Sequence, residues 1–293
     1  MVRSFRIFSL LALTLQAGAV WADDAAVIKM IKEKGGEVTE ANGRATSLTL
    51  SDGSKLTEAE FRQIGQLGNL KTLTLSNCLN DQTLGFLTTL TELESLQTNL
   101  MQVSDEGIKQ LAQLKKLRQV KFFHPGKTFT GVGLAALADL PNLEALTVAG
   151  SFAFGDEGMA AVAKLTHLKS FRTWHAGQTI EGVKKLREMK NLKSLHLGQR
   201  LTYKAPSCPN DEVVAVLAEI KTLDTLILDE ARLSLDALSK LKQLPELKTL
   251  TLGNIDMPEA DMEKLQKEMP KVTIKWTKPT ETAVKRIVAL FGK

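Results

Sequence analysis

Aliphatic residues recur along this chain in the spacing L-x-x-L-x-L, with polar or small residues at most x positions. Full copies are Leu70-Leu73-Leu75, Leu143-Leu146-Val148, Leu192-Leu195-Leu197, Leu223-Leu226-Leu228 and Leu247-Leu250-Leu252, and weaker copies begin at Ala45, Leu93, Leu117 and Leu168. Apolar positions two apart predict a short strand with one buried face. Each copy then passes through a polar turn into a second pattern, as in Ile108, Leu111, Leu114 and Leu117, where apolar residues three apart mark the buried stripe of a short helix. Successive starts lie about 24 residues apart, inside the roughly 20–29 of a strand–helix repeat; the step from Leu192 to Leu223 is longer and marks an insertion. One unit cannot bury its stripe alone, whereas stacked units close a core between a parallel sheet and a layer of helices. The pattern therefore predicts an α/β right-handed solenoid, a horseshoe arc with a parallel concave sheet and convex helices.

The repeats resemble those of bacterial exported leucine-rich-repeat proteins of the ribonuclease-inhibitor-like, cysteine-containing class, whose signature is L-x-x-L-x-L-x-x-C/N/T. Leu70, Leu73, Leu75 and Cys78 match it in full, and the likeness runs from about Ala45 to Lys275. The resemblance implies the solenoid fold and a binding role, with no shared reaction. Met101, Pro125, Ser151, Ala176, Arg200, Ala231 and Ile255 fill the cysteine slot elsewhere, so no regular cysteine or asparagine ladder is expected.

The ends read differently. Residues 1–22 carry Arg3 and Arg6 ahead of an apolar run too short to span a membrane, followed by Val20-Trp21-Ala22, which reads as a signal peptide and places the mature chain in the periplasm or outside the cell. Residues 23–44 read as an N-terminal cap, a helix and a hairpin strand turning at Asn42-Gly43. Residues 45–271 form the solenoid, and residues 272–293 a capping strand and helix. Val284, Ile287, Val288 and Phe291 share one face of that helix and suit docking on the last repeat, with partner or membrane-surface binding as the other reading.

Acidic pairs return at one point of the repeat: Asn80-Asp81, Ser104-Asp105-Glu106, Gly155-Asp156-Glu157, Asn210-Asp211-Glu212, and in similar slots Thr57-Glu58 and Ser234-Leu235-Asp236. A small polar residue and acids ahead of an apolar stripe start a helix, because they satisfy free amides and favour the positive dipole end. On that reading a residue such as Asp105 contributes at most about 1 kcal/mol. Carboxylates on neighbouring rungs line an edge and do not converge on a substrate. The two cysteines lie too many rungs apart to pair: Cys78 is expected to be a buried small hydrophobe and Cys208 an accessible thiol, inert at the surface or, as the alternative, bonded to another chain. Gly126-Lys127-Thr128 lacks the leading glycine of a phosphate loop, since Lys121 stands there, and no zinc or elbow-serine motif occurs. No cofactor or metal is implied. The net charge of +5 falls to +3 without the two leader arginines, too mild to point to nucleic acid.

What remains is the strand face turned away from the core, where x positions align from rung to rung. At its middle it gathers Lys121, Phe123, His124, Arg172, Trp174, His175, His196 and Arg200, with Tyr203 in the insertion beside them. Ala149, Gly150 and Gly198 would leave room between these large side chains. Aromatic and basic residues in a concave setting are hot-spot chemistry. The expectation is a non-enzymatic, exported module binding a protein or a carbohydrate there. The alternatives are a structural envelope or matrix component assembling through its caps, and a histidine-based hydrolase, which the sequence disfavours because neither Asp229 nor Glu230 is placed to orient a histidine.

Overall fold

Eleven strands make one open sheet in chain order in the computed structural model, which describes residues 24–198 and 208–291. They are β1 (Glu37–Ala41), β2 (Arg44–Leu50), β3 (Thr72–Ser76), β4 (Ser95–Asn99), β5 (Gln119–Phe123), β6 (Ala145–Ala149), β7 (Ser170–Trp174), β8 (Ser194–Gly198), β9 (Thr225–Asp229), β10 (Thr249–Gly253) and β11 (Thr273–Thr277). β1 pairs antiparallel with β2 across Asn42 and Gly43, both at positive φ, and every later pairing is parallel. The α-helices are α1 (Asp24–Glu33), α2 (Glu58–Ile64), α3 (Asp81–Phe86), α4 (Asp105–Lys109), α5 (Asp156–Ala163), α6 (Ile180–Lys185), α7 (Asp211–Leu217), α8 (Leu235–Ser239), α9 (Glu259–Glu268) and α10 (Glu281–Phe291). The rung after β5 carries a 3-10 helix, Val132–Leu137, in the same place. The chain is a leucine-rich-repeat solenoid. The leader residues, Arg200 and Tyr203 lie outside the described residues.

The register follows from the leucine spacing. Leu48, Leu73, Leu96, Val120, Leu146, Phe171, Leu195, Leu226 and Leu250 pair side by side and are each at most 1% exposed, so a shift of one residue would turn a whole leucine row to water. Phe122, Phe129, Phe154 and Phe171 add a continuous aromatic stack through the central core. Gln178, before the helix-capping Thr179, occupies a slot that is apolar on neighbouring rungs; its amide is fully buried and makes no hydrogen bond. Most described strands end in a left-handed residue, namely Asn77, Leu100, His124, Gly150, His175, Glu230 and Asn254, which bends the chain off the sheet. Where such a residue donates its amide to the next strand, as His124 does to the Ala149 carbonyl at 2.8 Å, the turn stays in the ladder.

The acidic pairs do cap helices, and they do more. Thr57, Asn80, Ser104, Thr179, Asn210 and Ser234 accept an amide of the helix they precede. The aspartate that follows reaches sideways to the next rung. Asp81 accepts the Ser104 amide and hydroxyl at 2.7 and 2.6 Å, Asp156 those of Thr179 at 2.7 and 2.6 Å, and Asp211 the Ser234 amide at 2.9 Å. Asp105 does most, because Gly131 has no side chain to cap the 3-10 helix: it accepts the Thr130 amide and hydroxyl and the Gly131 and Gly133 amides at 2.7–3.1 Å. These carboxylates are inter-rung staples, so the expected ceiling of about 1 kcal/mol for Asp105, drawn from the dipole alone, is too low.

Each end carries a helix. α1 buries Val27, Ile28 and Ile31, and Asp24 accepts the Ala45 amide at 2.8 Å and Arg44 at 3.1 Å. At the other end the Trp276 indole donates to the Ile255 carbonyl at 3.0 Å, and α10 docks with Ile287 buried and Phe291 against the core. Among the described residues no helix is long and apolar enough to cross a membrane. Cys208 corrects the sequence expectation: it is 1% exposed, drawn into the core by the rungs on either side. Cys78 is only partly buried, and the two form no disulfide. Burial and the nearby Asp52 carboxylate push the Cys78 thiol up to about 12.

Candidate functional site

The middle of the sheet's outward face is built by β5 to β9, whose pairing sets Lys121, Thr147, Arg172, His196 and Ile227 in one row and Phe123, Ala149 and Trp174 in the next. Phe123 and Trp174 stand on strands either side of β6. Their rings lean together to a centroid distance of 6.0 Å over Ala149, which is left 2% exposed. The Trp174 indole then lies parallel to the His196 imidazole at 5.0 Å, with the Arg172 guanidinium 5.6 Å from the indole. A Cβ at Gly198 would strike Trp174, and one at Gly150 would strike the His124 ring, so the room left by these glycines is filled by the protein's own side chains. Small residues next to large ones serve packing here, contrary to the sequence expectation.

His196 is covered by this arrangement, 6% exposed, and both its nitrogens are engaged. Arg172 Nε and Nη2 lie 3.3 and 3.2 Å from Nδ1, and Asp229 Oδ2 lies 2.5 Å from Nε2. A guanidinium has only protons to give. Nδ1 therefore accepts from Arg172, and Nε2 is the nitrogen that donates to Asp229. The result is a chain Asp229–His196–Arg172 that fixes the cation on the face. A general base needs a lone pair directed at its substrate, and the one on His196 is taken by Arg172.

The other two histidines turn elsewhere. His124 Nδ1 lies 2.9 Å from Asn99 Oδ1, and His175 Nε2 lies 3.6 Å from Glu230, which is also 3.6 Å from Arg286 on α10. Asp229 and Glu230 are thus both placed against histidines, contrary to the sequence expectation. Strand spacing alone does not show that side chains on rungs one or two apart reach each other. The three imidazoles do not converge, and among the described residues no group of three or more His, Cys, Asp or Glu could hold a metal ion.

Beside Trp174 opens a cleft of about 240 Å³ lined by Trp174, His175, Gly198, Asp229, Glu230 and Asn254. Its acidic wall was absent from the sequence-derived site. The signal was available, since Asp229 pairs with Gly198 in the same outward row as Phe123 and Trp174. Lys121 and Phe123 are half-buried and Arg172 exposed. Leu100 and Phe152, 48% and 65% exposed, add apolar surface that the repeat pattern did not single out.

No family model and no curated protein matches the chain. Among solved structures, an internalin (inlF) from Listeria monocytogenes aligns with 15% identity and a TM-score of 0.45 over 92% of this chain and 93% of that one. A TLR13–ssRNA13 complex aligns with 15% identity and a TM-score of 0.42 over 69% of this chain and 34% of that one.

Proposed function

We propose that this chain is an exported recognition module, not an enzyme, whose central sheet face binds a protein partner through Phe123, Arg172 and Trp174. The observation that carries the reading is the Asp229–His196–Arg172 chain packed beneath Trp174. It holds an exposed cation and an indole in fixed positions before any partner arrives, and side chains ordered in advance lose little entropy on binding. Aromatic residues and arginine set in a concave surface are the residue types that dominate binding energy. Export rests on the arginine-led apolar leader of residues 1–22. A carbohydrate is the second partner class, since an indole edge beside Asp229 and Asn254 also suits hydroxyl groups.

The test is a pull-down from the native exported fraction, followed by affinity measurement on the captured partner. Trp174→Ala should lose about 2 kcal/mol of binding, about 30-fold, while melting close to wild type, because Trp174 lies outside the leucine core. A variant that binds as wild type but melts early would show that Trp174 only covers Ala149 and His196, and would end the proposal.

A further inference from the structure

Charge is distributed unevenly between the rim of the sheet and its face. On the rim where strands begin, acids alternate with bases and three pairs form: Lys71 with Glu94 at 3.3 Å, Lys116 with Glu92 at 2.6 Å and Lys169 with Glu144 at 2.8 Å. On the face itself, the outward positions of β3–β10 hold a single carboxylate, Asp229, and it is bonded to His196. The two cations of that face, Lys121 and Arg172, have no acidic partner among the described residues. Serine, threonine, asparagine and glutamine fill most of the remaining positions, in a chain with 33 acidic residues to draw on. Acids excluded from a face that carries unpaired cations leave those cations for a ligand, since a nearby protein carboxylate would compete for them.

We infer that the face takes an extended protein segment carrying two carboxylates on one of its sides, four residues apart, with an apolar side chain midway between them. This rests on the reading of the central face as the binding site. Lys121 and Arg172 stand two strands apart, about 10 Å at the usual strand spacing; side chains alternate along an extended peptide, so two acids four residues apart point the same way about 13 Å apart, with the residue midway between them on the same side, and the long Lys121 side chain spans the difference. Phe123 and Trp174, one outward position further along the same strands, supply the apolar contact beside the line that joins the two cations through Thr147. A nucleic acid or a sulfated glycan fits less well. Such polyanions need cations along their whole length, and beyond Arg172 the face turns acidic at Asp229 and Glu230.

Selection of random 12-residue peptides displayed against the purified protein tests this. Enriched sequences should carry two acidic residues four apart with an apolar one midway between them, and their binding should weaken about tenfold between 50 and 500 mM salt as the charges are screened. Lys121→Glu with Arg172→Glu should weaken these peptides at least 30-fold and, on reselection, enrich basic sequences instead. Lys121→Gln with Arg172→Gln serves if the charge reversal melts early by circular dichroism, and should lower binding without selecting basic peptides. Neutral or basic peptides that still require Trp174 would overturn the acidic-segment inference while leaving the binding face intact. No enrichment, or peptides indifferent to Trp174→Ala, would overturn both. Displacement of the peptides by single-stranded oligonucleotide or heparin at lower concentration than by free peptide would make the occupant a polyanion and refute the inference.

Discussion

Removing the Asp105 carboxylate should cost far more than a residue at a helix start usually contributes. Asp105→Ala deprives the amides of Thr130, Gly131 and Gly133 and the hydroxyl of Thr130 of their acceptor. The hydroxyl can turn to water. The three amides sit in a partly buried joint where the 3-10 helix Val132–Leu137 has no side-chain cap of its own. A hydrogen bond to a charged group is worth about 1.5–3 kcal/mol net when buried; discounting each amide to about 1 kcal/mol for partial solvent access gives about 3 kcal/mol in all. The bare dipole interaction would give only about 0.3–1 kcal/mol. Glu106, the next residue, is the internal control: it is 79% exposed and pairs only with Lys109, so Glu106→Ala should cost about 0.5 kcal/mol at most. Asp105→Asn keeps one acceptor oxygen and should fall between. Urea unfolding followed by tryptophan fluorescence and circular dichroism gives the midpoints and slopes. Equal midpoints for Asp105→Ala and Glu106→Ala would refute the staple. A changed slope would show that the rungs on either side of the joint had uncoupled.

The other predictions concern the core and its thiol. Gln178→Leu should raise the urea midpoint by an amount equivalent to about 1–3 kcal/mol, because it removes a buried amide with no hydrogen-bond partner from a slot that is apolar on neighbouring rungs; a lower midpoint would mean that the amide is satisfied in solution. Burial and Asp52 raise the Cys78 thiol from 9.0 to about 12. The folded chain therefore keeps a proton that the unfolded chain releases, so this stabilising contribution is intact below about pH 9 and is lost as pH rises from about 9 towards about 12. Wild type should lose stability across that window faster than Cys78→Ala, and iodoacetamide at pH 8 should label folded Cys78 far more slowly than the unfolded chain. Parallel pH profiles for the two proteins would contradict the burial argument.

The leucine spacing by itself determined the rungs, their parallel register and which residues point inward, because burial repeats with the period of the strand and any slip exposes a whole row. It also located the helix starts and the outward rows holding Lys121, Phe123, Arg172 and Trp174. Only the tertiary structure decided what neighbouring rungs do to one another, since those contacts join residues 23–51 positions apart and depend on how long side chains lean. Phe123 and Trp174 close over Ala149, and His196 is sealed between Arg172 and Asp229. Cys208 is drawn into the core, and Asp105 caps the helix of the following rung. A one-dimensional pattern records the environment that each position must have. It does not record which of two neighbouring polar groups will supply the partner, because that choice is made by geometry across the stack.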